Sequence, residues 1–132
     1  MQNSKCIFCK IARKEIPSHI VYEDKDYFAF LDISPRNKGH VLVIPKKHYR
    51  WVWNVQDSRY FSVTRKIANA LQKVFKTDFI VSFIMGDEIE HAHIHLVPRF
   101  LGDGVLIRIS DGMKYKDGEA EEIAKKIRTV LK

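Results

Sequence analysis

The chain has 132 residues, of which 45% are apolar and 30% charged, and its formal net charge at pH 7 is +7. This length and composition predict a single domain spanning 1–132 and exclude a disordered, collagen-like or disulfide-rich chain. The longest apolar runs, at 41–44 and 79–85, are too short to cross a membrane, and the N-terminus lacks the pattern of a signal peptide. We therefore expect a cytoplasmic protein whose basic surface attracts anions such as nucleotides or nucleic acid.

The first third of the chain predicts a short helix and three strands. The helix is predicted over 6–13 and ends before Pro17. The strands are predicted over Ile20–Glu23, Tyr27–Leu31 and His40–Pro45, because these segments are rich in Val, Ile and aromatic residues and lie between turn-forming residues. The third strand is almost entirely apolar, which is typical of an inner strand.

The middle of the chain predicts a long amphipathic helix that Asp57 can cap. Its apolar side chains recur at three- and four-residue intervals, so they form one stripe that can pack on a sheet. The members of this predicted stripe are Phe61, Thr64, Ile67, Ala68, Leu71, Val74 and Phe75.

The remaining elements complete a mixed fold. Two strands, Phe79–Met85 and His91–Pro98, flank a short polar segment and are predicted to form a hairpin. An edge strand is predicted over Val105–Ile109. A final helix is predicted over Glu119–Leu131, since glutamates occupy its first turn and lysines lie further on, as the helix dipole favours. Together these elements predict an α+β fold on a mainly antiparallel sheet.

Three histidines, His91, His93 and His95, alternate with apolar residues in the predicted last strand of the hairpin. The period of two along a strand puts their imidazoles on one face, about 7 Å apart. One interpretation is a half-exposed strand without a functional role, and a second is a metal site that activates water. A third is nucleophilic catalysis, in which a neutral imidazole attacks phosphorus while donors hold the phosphate oxygens.

Several separated motifs carry a resemblance to a known family. The histidine run over 91–99 is preceded by DISP at 32–35 and by GHVLVIPKKH at 39–48. The segments CIFCKI at 6–11 and EIP at 15–17 belong to the same set. In this order and at these spacings, the motifs resemble the histidine triad family of nucleotide hydrolases and transferases. The similarity covers the chain from residue 6 to the end of the histidine run, so we expect 101–132 to be a divergent extension.

The resemblance implies a fold and a reaction. The fold is a five-stranded, mainly antiparallel sheet with one long helix packed on it and short helices near both ends, usually in a homodimer. In the reaction, His93 attacks the α-phosphorus of a purine nucleotide, either a nucleoside phosphoramidate or a dinucleoside polyphosphate, and water hydrolyses the nucleotidyl-histidine. His95 and His40 donate hydrogen bonds to phosphate oxygens, and Asp32 binds the ribose hydroxyls. The resemblance assigns the apolar slot for the base to Ile7, Phe8, Ile11, Phe30 and Ile33.

Cys6 and Cys9 form a C-x-x-C pair, which by itself indicates either a metal knuckle or redox chemistry. Zinc-containing members of the family combine such a pair with two histidines, and the matching residues here are His48 and His91. The resemblance therefore implies a structural Zn²⁺ in a closed tetrahedral ligand set. The alternative is a reduced pair without a metal.

The segment before the triad departs from the family pattern. Most members have a longer loop there, with glutamine and a serine or threonine at the positions that Asp87 and Glu88 occupy in this chain. Carboxylates near a phosphate repel it unless they are protonated, turned away or paired. We hypothesise that Glu88 gives a proton to the leaving group. Two other functions stay open: a nucleotide or nucleic-acid binding module without turnover, and a metal-dependent hydrolase that uses the triad as ligands.

Overall fold

The elements of secondary structure follow the predicted order. The computed structural model describes residues 5–104 and 114–131. Its strands are β1 (Ile20–Glu23), β2 (Tyr27–Leu31), β3 (Val41–Pro45), β4 (Ile80–Phe83) and β5 (Ile94–Pro98). Its helices are α1 (Ile7–Ala12), α2 (Arg59–Phe75) and α3 (Glu119–Leu131), and a 3₁₀ turn lies at Val52–Asn54.

The five strands form one sheet in the order β1-β2-β3-β5-β4, and every neighbouring pair is antiparallel. This arrangement confirms the predicted α+β fold on a mainly antiparallel sheet. β3 lies in the middle of the sheet and all of its residues are buried, which explains its almost entirely apolar sequence. Within the described residues, no helix is both long enough and apolar enough to cross a membrane.

The two faces of the sheet pack against different helices. On one face, Val43 and Ile94 belong to a core cluster with the buried side of α2. On the other face, Phe30 and Leu42 belong to a cluster with α1. Leu42 is the cross-strand partner of His95, and directly opposed residues of an antiparallel pair share a face. His95 therefore lies on the α1 face of the sheet.

Helix α2 begins at Arg59, two residues after the predicted capping residue. Oδ1 of Asp57 accepts a hydrogen bond from the Arg59 amide at 3.0 Å, so this carboxylate satisfies one unpaired amide of the first turn. The N-cap position itself is Ser58, whose side chain makes no capping hydrogen bond. Asp57 thus makes the predicted capping hydrogen bond, although it lies one residue before the N-cap position.

The buried stripe of α2 differs from the predicted stripe at its ends. Phe61 and Val74 are 51% and 70% exposed, so the prediction that they face the core is wrong. Tyr60 takes the place of Phe61, because its hydroxyl donates a hydrogen bond to the Val43 carbonyl at 2.7 Å and so can be buried without losing a partner. The residues buried on the helix are Tyr60, Val63, Ile67 and Leu71.

The hairpin strands are shorter than predicted. β5 starts at Ile94 rather than at His91, and β4 covers only the middle of the predicted segment 79–85. The Ala92 amide donates to the Tyr49 carbonyl at 2.7 Å, so the chain before β5 bonds to a loop rather than to a neighbouring strand. The antiparallel pairing of the two strands is as predicted.

The remaining predicted bounds agree with the structure to within one residue where it describes them. β3 begins at Val41, one residue after the predicted start at His40, and α1 lies inside the predicted 6–13. α3 has the predicted bounds. The predicted edge strand Val105–Ile109 falls outside the described residues.

Candidate active site and metal centre

A cleft of about 430 Å³ opens on the α1 face of the sheet. Its walls come from α1, the loop after β2, the histidine segment and the connection between β4 and β5. The residues predicted to be catalytic all line it: His40, Glu88, His93 and His95. The residues predicted to bind the nucleotide line it as well: Ile7, Phe8, Ile11, Phe30, Asp32 and Ile33. The fold therefore collects the two predicted sets from separate segments of the chain into one space.

A backbone hydrogen bond fixes the tautomer of His93 in its neutral form. Its Nδ1 lies 2.6 Å from the His91 carbonyl oxygen, and because a carbonyl can only accept, Nδ1 carries the hydrogen and Nε2 carries a lone pair. Burial lowers the pKa of His93, while the hydrogen bond to His91 and the charge of Asp32 act in the opposite direction. The ring is 7% exposed, and the Phe8 ring packs edge-on against it at a centroid distance of 5.1 Å. This arrangement favours a neutral, fixed imidazole.

A chain of hydrogen bonds sets the tautomers of His40 and His95. The Arg36 amide donates to Nδ1 of His40 at 3.0 Å, so in the neutral ring the hydrogen of His40 is on Nε2. Nε2 of His40 lies 2.9 Å from Nδ1 of His95 and donates to it. His95 therefore carries its own hydrogen on Nε2. Burial lowers the pKa values of both histidines, which keeps the relay in its neutral form.

His40 makes contacts different from those the resemblance implies. Both of its ring nitrogens are engaged within the protein, and the residue is 1% exposed. Asp32 is the nearest carboxylate, with Oδ2 3.7 Å from Nε2 of His40. In this geometry His40 has no hydrogen left to donate to a phosphate, and its effect on a substrate passes through His95.

Phe83 fixes the plane of the His95 ring. The two rings stack in parallel, with a centroid distance of 4.3 Å and an interplanar angle of 10°. They are cross-strand partners between β4 and β5, which explains their overlap. The pKa of His95 is lowered to about 4, first by burial and then by the neighbouring His93 and His40. Sequence reasoning missed Phe83, because the register of the hairpin is needed to place it beside His95.

Asp32 closes a turn and also lines the cleft. Its Oδ1 accepts a hydrogen bond from the Ser34 amide at 2.8 Å and so closes the turn after β2. Its side chain is 19% exposed and lines the cleft. Since an ionised carboxylate has about four lone-pair sites, the turn leaves acceptor capacity for hydroxyl groups of a ligand.

The apolar residues of the cleft divide into a floor and a rim. Phe8, Ile11 and Phe30 are at most 7% exposed and form the floor. Ile7 and Ile33 are 46% and 90% exposed and form the rim. Apolar side chains that lie open around a floor of this kind gain burial when a flat apolar group covers them. Apolar lining residues that sequence reasoning missed are Ile16, Leu42, Met85 and Ile89.

The short connection between β4 and β5 is anchored from below. Nη2 of Arg50 donates to the Gly86 carbonyl at 2.7 Å, and the guanidinium lies 3.9 Å from the centre of the Trp51 ring. The next two residues, Asp87 and Glu88, are exposed and line the cleft. Within the described residues, neither carboxylate has a hydrogen bond or an ion pair. The connection therefore presents two unpaired acids to whatever the cleft binds.

Behind the cleft, the four residues predicted to bind a metal form one cluster. Their ligand atoms all lie within 4.8 Å of one another: Sγ of Cys6 and Cys9 and one ring nitrogen each of His48 and His91. Nδ1 of His91 is 3.3 Å from Sγ of Cys6, 3.5 Å from Sγ of Cys9 and 3.2 Å from Nδ1 of His48. A tetrahedral Zn²⁺ site with bonds of about 2.0 Å to nitrogen and 2.3 Å to sulfur has edges of about 3.3–3.8 Å. The spacing fits that ligand set.

The orientation of His91 supports the same fit. Its Nε2 lies 2.8 Å from the Pro45 carbonyl and must donate to it, so Nδ1 points into the cluster with a lone pair. A histidine ligand held by a carbonyl through its far nitrogen is the usual arrangement at a metal. Burial lowers the pKa of His91 to about 4, which keeps the lone pair free of a proton.

The three histidines of the alternating run belong to two different sites. His91 turns toward the cysteines, while His93 and His95 line the cleft. Asp32, His40 and His95 also have ligand-type atoms within 4.8 Å of one another, but the hydrogen bond between the two imidazoles accounts for their approach. The triad therefore does not form one metal site, and this geometry does not favour a metal-dependent hydrolase with the triad as ligands.

Such a sheet, with a cleft of about 430 Å³ beside an alternating histidine run, defines a protein of the histidine triad class. The family model for the HIT domain matches residues 13–102, and the chain belongs to this family.

The chain is 38% identical over 130 residues to an uncharacterised HIT-like protein of Methanocaldococcus jannaschii, covering 93% of this chain and 98% of the relative. It is 38% identical over 102 residues to the adenosine 5'-monophosphoramidase HNT1 of Saccharomyces cerevisiae, covering 74% of this chain and 64% of the relative. The crystal structure of SMU.412c from Streptococcus mutans matches with a TM-score of 0.87 at 39% identity, covering 99% of this chain and 88% of that one. These similarities confirm the fold that the sequence predicted.

Proposed function

We propose that this protein hydrolyses a purine nucleotide at its α-phosphorus through a covalent intermediate on His93. The observation that carries the proposal is the hydrogen bond from Nδ1 of His93 to a carbonyl, which leaves a lone pair on Nε2 of a ring that lines the cleft. A neutral imidazole fixed in this way is a nucleophile at cellular pH. Membership of the HIT family and similarity to a yeast adenosine 5'-monophosphoramidase support a hydrolase that acts on nucleotides.

In the first half-reaction, Nε2 of His93 forms a bond to phosphorus while the bond from phosphorus to the leaving atom breaks. The electron pair of the broken bond stays on the leaving atom, which takes a proton, and we assign the donation of that proton to Glu88. The imidazole becomes positively charged, and the His91 carbonyl that accepts from Nδ1 stabilises this charge.

In the second half-reaction, the oxygen of a water molecule forms a bond to phosphorus and the bond from phosphorus to Nε2 breaks. The Glu88 carboxylate, which lost its proton in the first step, accepts a proton from the water. The products are a nucleoside monophosphate and neutral His93, so the site returns to its starting state.

The other cleft residues bind and orient the substrate in this proposal. Asp32 accepts hydrogen bonds from the ribose hydroxyls, and the base lies in the apolar slot formed by α1 and the end of β2. His95 donates its Nε2 hydrogen to a phosphate oxygen, where charge develops during transfer. His40 holds His95 in the donating tautomer. The substrate is a nucleoside phosphoramidate or a dinucleoside polyphosphate.

We also propose that Cys6, Cys9, His48 and His91 hold a structural Zn²⁺. When bound, the metal supplies a crosslink between α1 and the histidine segment, because its ligands come from both. A closed set of four protein ligands leaves no position for a reacting water. The homodimer that the resemblance implies stays a prediction, which the mass of the protein in solution tests.

The test of the reaction is intact-protein mass spectrometry after mixing with adenosine 5'-monophosphoramidate. We expect one adenylyl group on the wild type during turnover and none on His93→Ala or His93→Gly. His19→Ala is the matched control, because His19 is exposed and lies outside the cleft. An adduct on His93→Ala, or full turnover by that variant, would contradict the proposal.

A further inference from the structure

We propose that the connection between β4 and β5 selects substrates whose leaving group carries a positive charge, through the carboxylate of Asp87 beside the proton donor Glu88. This inference deepens the proposed function and rests on it. Among the described residues that line the cleft, three are acidic, Asp32, Asp87 and Glu88, and one is a permanent cation, Arg36. The cleft is therefore formally acidic, whether Glu88 is ionised or protonated, although the whole chain has a net charge of +7.

The order of the strands places these acids at opposite ends of the cleft. Asp32 follows β2, His40 precedes β3, and His95 lies on β5. Beyond β5 comes β4, whose end leads into the connection with Asp87. A nucleoside held at the Asp32 end therefore directs its phosphate to the histidines and its leaving group toward the connection.

The carboxylates of the connection face the cleft and form no ion pair within the described residues. Within the described part of the chain, Asp87 and Glu88 contact no cationic side chain, whereas Glu90 lies 3.7 Å from Nε of Arg50. The backbone before them is fixed by the hydrogen bond between Arg50 and Gly86. Charges on an anchored segment can discriminate between ligands, because little conformational entropy is lost on contact.

The charge of the connection favours cationic leaving groups over anionic ones. A polyphosphate leaving group would bring further negative charge to the unpaired carboxylate of Asp87, which is repulsive. A leaving amine that carries an ammonium group further along its chain would be attracted. For partly exposed charges about 4 Å apart, this attraction corresponds to a preference of about tenfold, reduced at high salt.

The experiment compares three adenosine 5'-phosphoramidates of nearly equal length, made from 1,3-diaminopropane, butylamine and 4-aminobutyrate. Their leaving groups differ at the far end only, in carrying a positive, a neutral or a negative group. We expect kcat/KM to fall in that order, by about tenfold per step at low ionic strength and by much less in molar salt. A dinucleoside polyphosphate should be a poorer substrate than any of the three.

Asp87→Asn tests which residue causes the preference, and Glu90→Gln is the matched control. Both changes remove one negative charge from the same connection, but Glu90 lies outside the lining of the cleft. We expect Asp87→Asn to reduce the ratio of kcat/KM for the cationic substrate to kcat/KM for the anionic substrate by about tenfold. Glu90→Gln should leave this ratio within a factor of about two of the wild-type value. Glu88 is not substituted here, because it is assigned to proton transfer.

The outcomes separate this inference from the proposed function. Equal kcat/KM values for the three phosphoramidates, together with an adenylyl adduct on His93, would overturn the charge selection. The proposed reaction would still be supported by that adduct. An undiminished preference in Asp87→Asn would also overturn the assignment. Absence of both turnover and adduct with every substrate would contradict the proposed function itself.

Discussion

The imidazole of His40 donates its Nε2 hydrogen to Nδ1 of His95 over 2.9 Å, and the Arg36 amide occupies the other nitrogen of His40 at 3.0 Å. The backbone thus determines where the hydrogens lie on two successive rings. Because Nδ1 of His95 accepts this hydrogen bond, the hydrogen of His95 itself lies on Nε2, and the ring lines the cleft. In the proposed reaction, the donation of that hydrogen to a phosphate oxygen depends on His40, which is itself buried.

We expect His40→Leu to lower kcat by about 10–100-fold with little change in KM, because His95 loses the partner that fixes its tautomer. His40→Gln should recover much of the loss, since the amide nitrogen of glutamine can donate from a position close to Nε2 of histidine. Steady-state kinetics of the two variants with one phosphoramidate substrate measures both effects.

A double-mutant cycle distinguishes positioning from direct contact. If His40 acts through His95, then His40→Leu should have little further effect on kcat in a His95→Ala background. Losses that multiply in the double variant would show that His40 contacts the substrate independently. Thermal unfolding of each variant checks that the kinetic changes do not arise from loss of the folded state.

The stability of the protein should fall as pH falls from about 6.5 to about 4, in part because of His95. Its folded pKa is lowered to about 4, mainly by burial, so the unfolded chain binds more protons throughout that interval. We expect His95→Asn to reduce the loss by about 2–3 kcal/mol, because a pKa lowered from 6.5 to about 4 corresponds to about 3.5 kcal/mol in full and most of this is lost within the interval. Urea unfolding of both proteins at the two ends of the interval measures this difference; equal losses would contradict it.

The sequence predicts the fold well where one pattern dominates. α3 has its predicted bounds, with glutamates in its first turn and basic residues only in its second half, as the helix dipole favours. The stripe of α2 was misplaced at Phe61, because two adjacent aromatic residues satisfy the helical period equally. Only the hydrogen bond of the Tyr60 hydroxyl inside the core decides between them.

The sequence predicted which residues meet in the cleft, but it did not predict the hydrogen bonds among them. The motifs that contain His93 and Asp32 occur in the order of the family that they resemble, and this resemblance predicts that the two residues lie in one cleft. The roles of Phe83 and of the Arg36 amide depend on strand register and on the geometry of a loop, which the order of motifs does not contain. The contacts of His40 could therefore be determined only from the structure.

Glu88→Gln should distinguish leaving groups by their need for a proton. An alkylamine leaves poorly without protonation, so we expect kcat/KM for an alkyl phosphoramidate to fall by about 10²–10⁴. The 4-nitrophenyl ester of AMP expels a stabilised phenolate, and its kcat/KM, which reports on the first half-reaction, should change little. Unaltered turnover of both substrates across the pH range would exclude Glu88 as the proton donor.

Removal of the metal should affect stability more than chemistry. We expect one zinc per chain by elemental analysis of the wild type and none in Cys9→Ser, because that change removes a thiolate from a closed set. A chelator should lower the unfolding temperature, while the adduct on His93 still forms below that temperature. Immediate loss of adduct formation in a folded, metal-free protein would show that the metal takes part in the reaction.

Gly86 is the point at which a single methyl group should disturb the connection. A Cβ at this position would overlap the six-membered ring of Trp51 and would lie 3.0 Å from Nη1 of Arg50, whose guanidinium stacks on that ring at 3.9 Å. We expect Gly86→Ala to displace the connection that carries Asp87 and Glu88 and to lower kcat/KM by about tenfold, with a loss of about 1–3 kcal/mol in unfolding free energy from overpacking.

The companion variant Trp51→Ala decides whether this overlap is the cause. With the indole removed, the added methyl group has space, so Gly86→Ala should cost much less in the Trp51→Ala background than in the wild type. Urea unfolding and kcat/KM for the four proteins of this cycle give both coupling energies. Equal costs in the two backgrounds would mean that the glycine is needed for its backbone rather than for its close approach to Trp51.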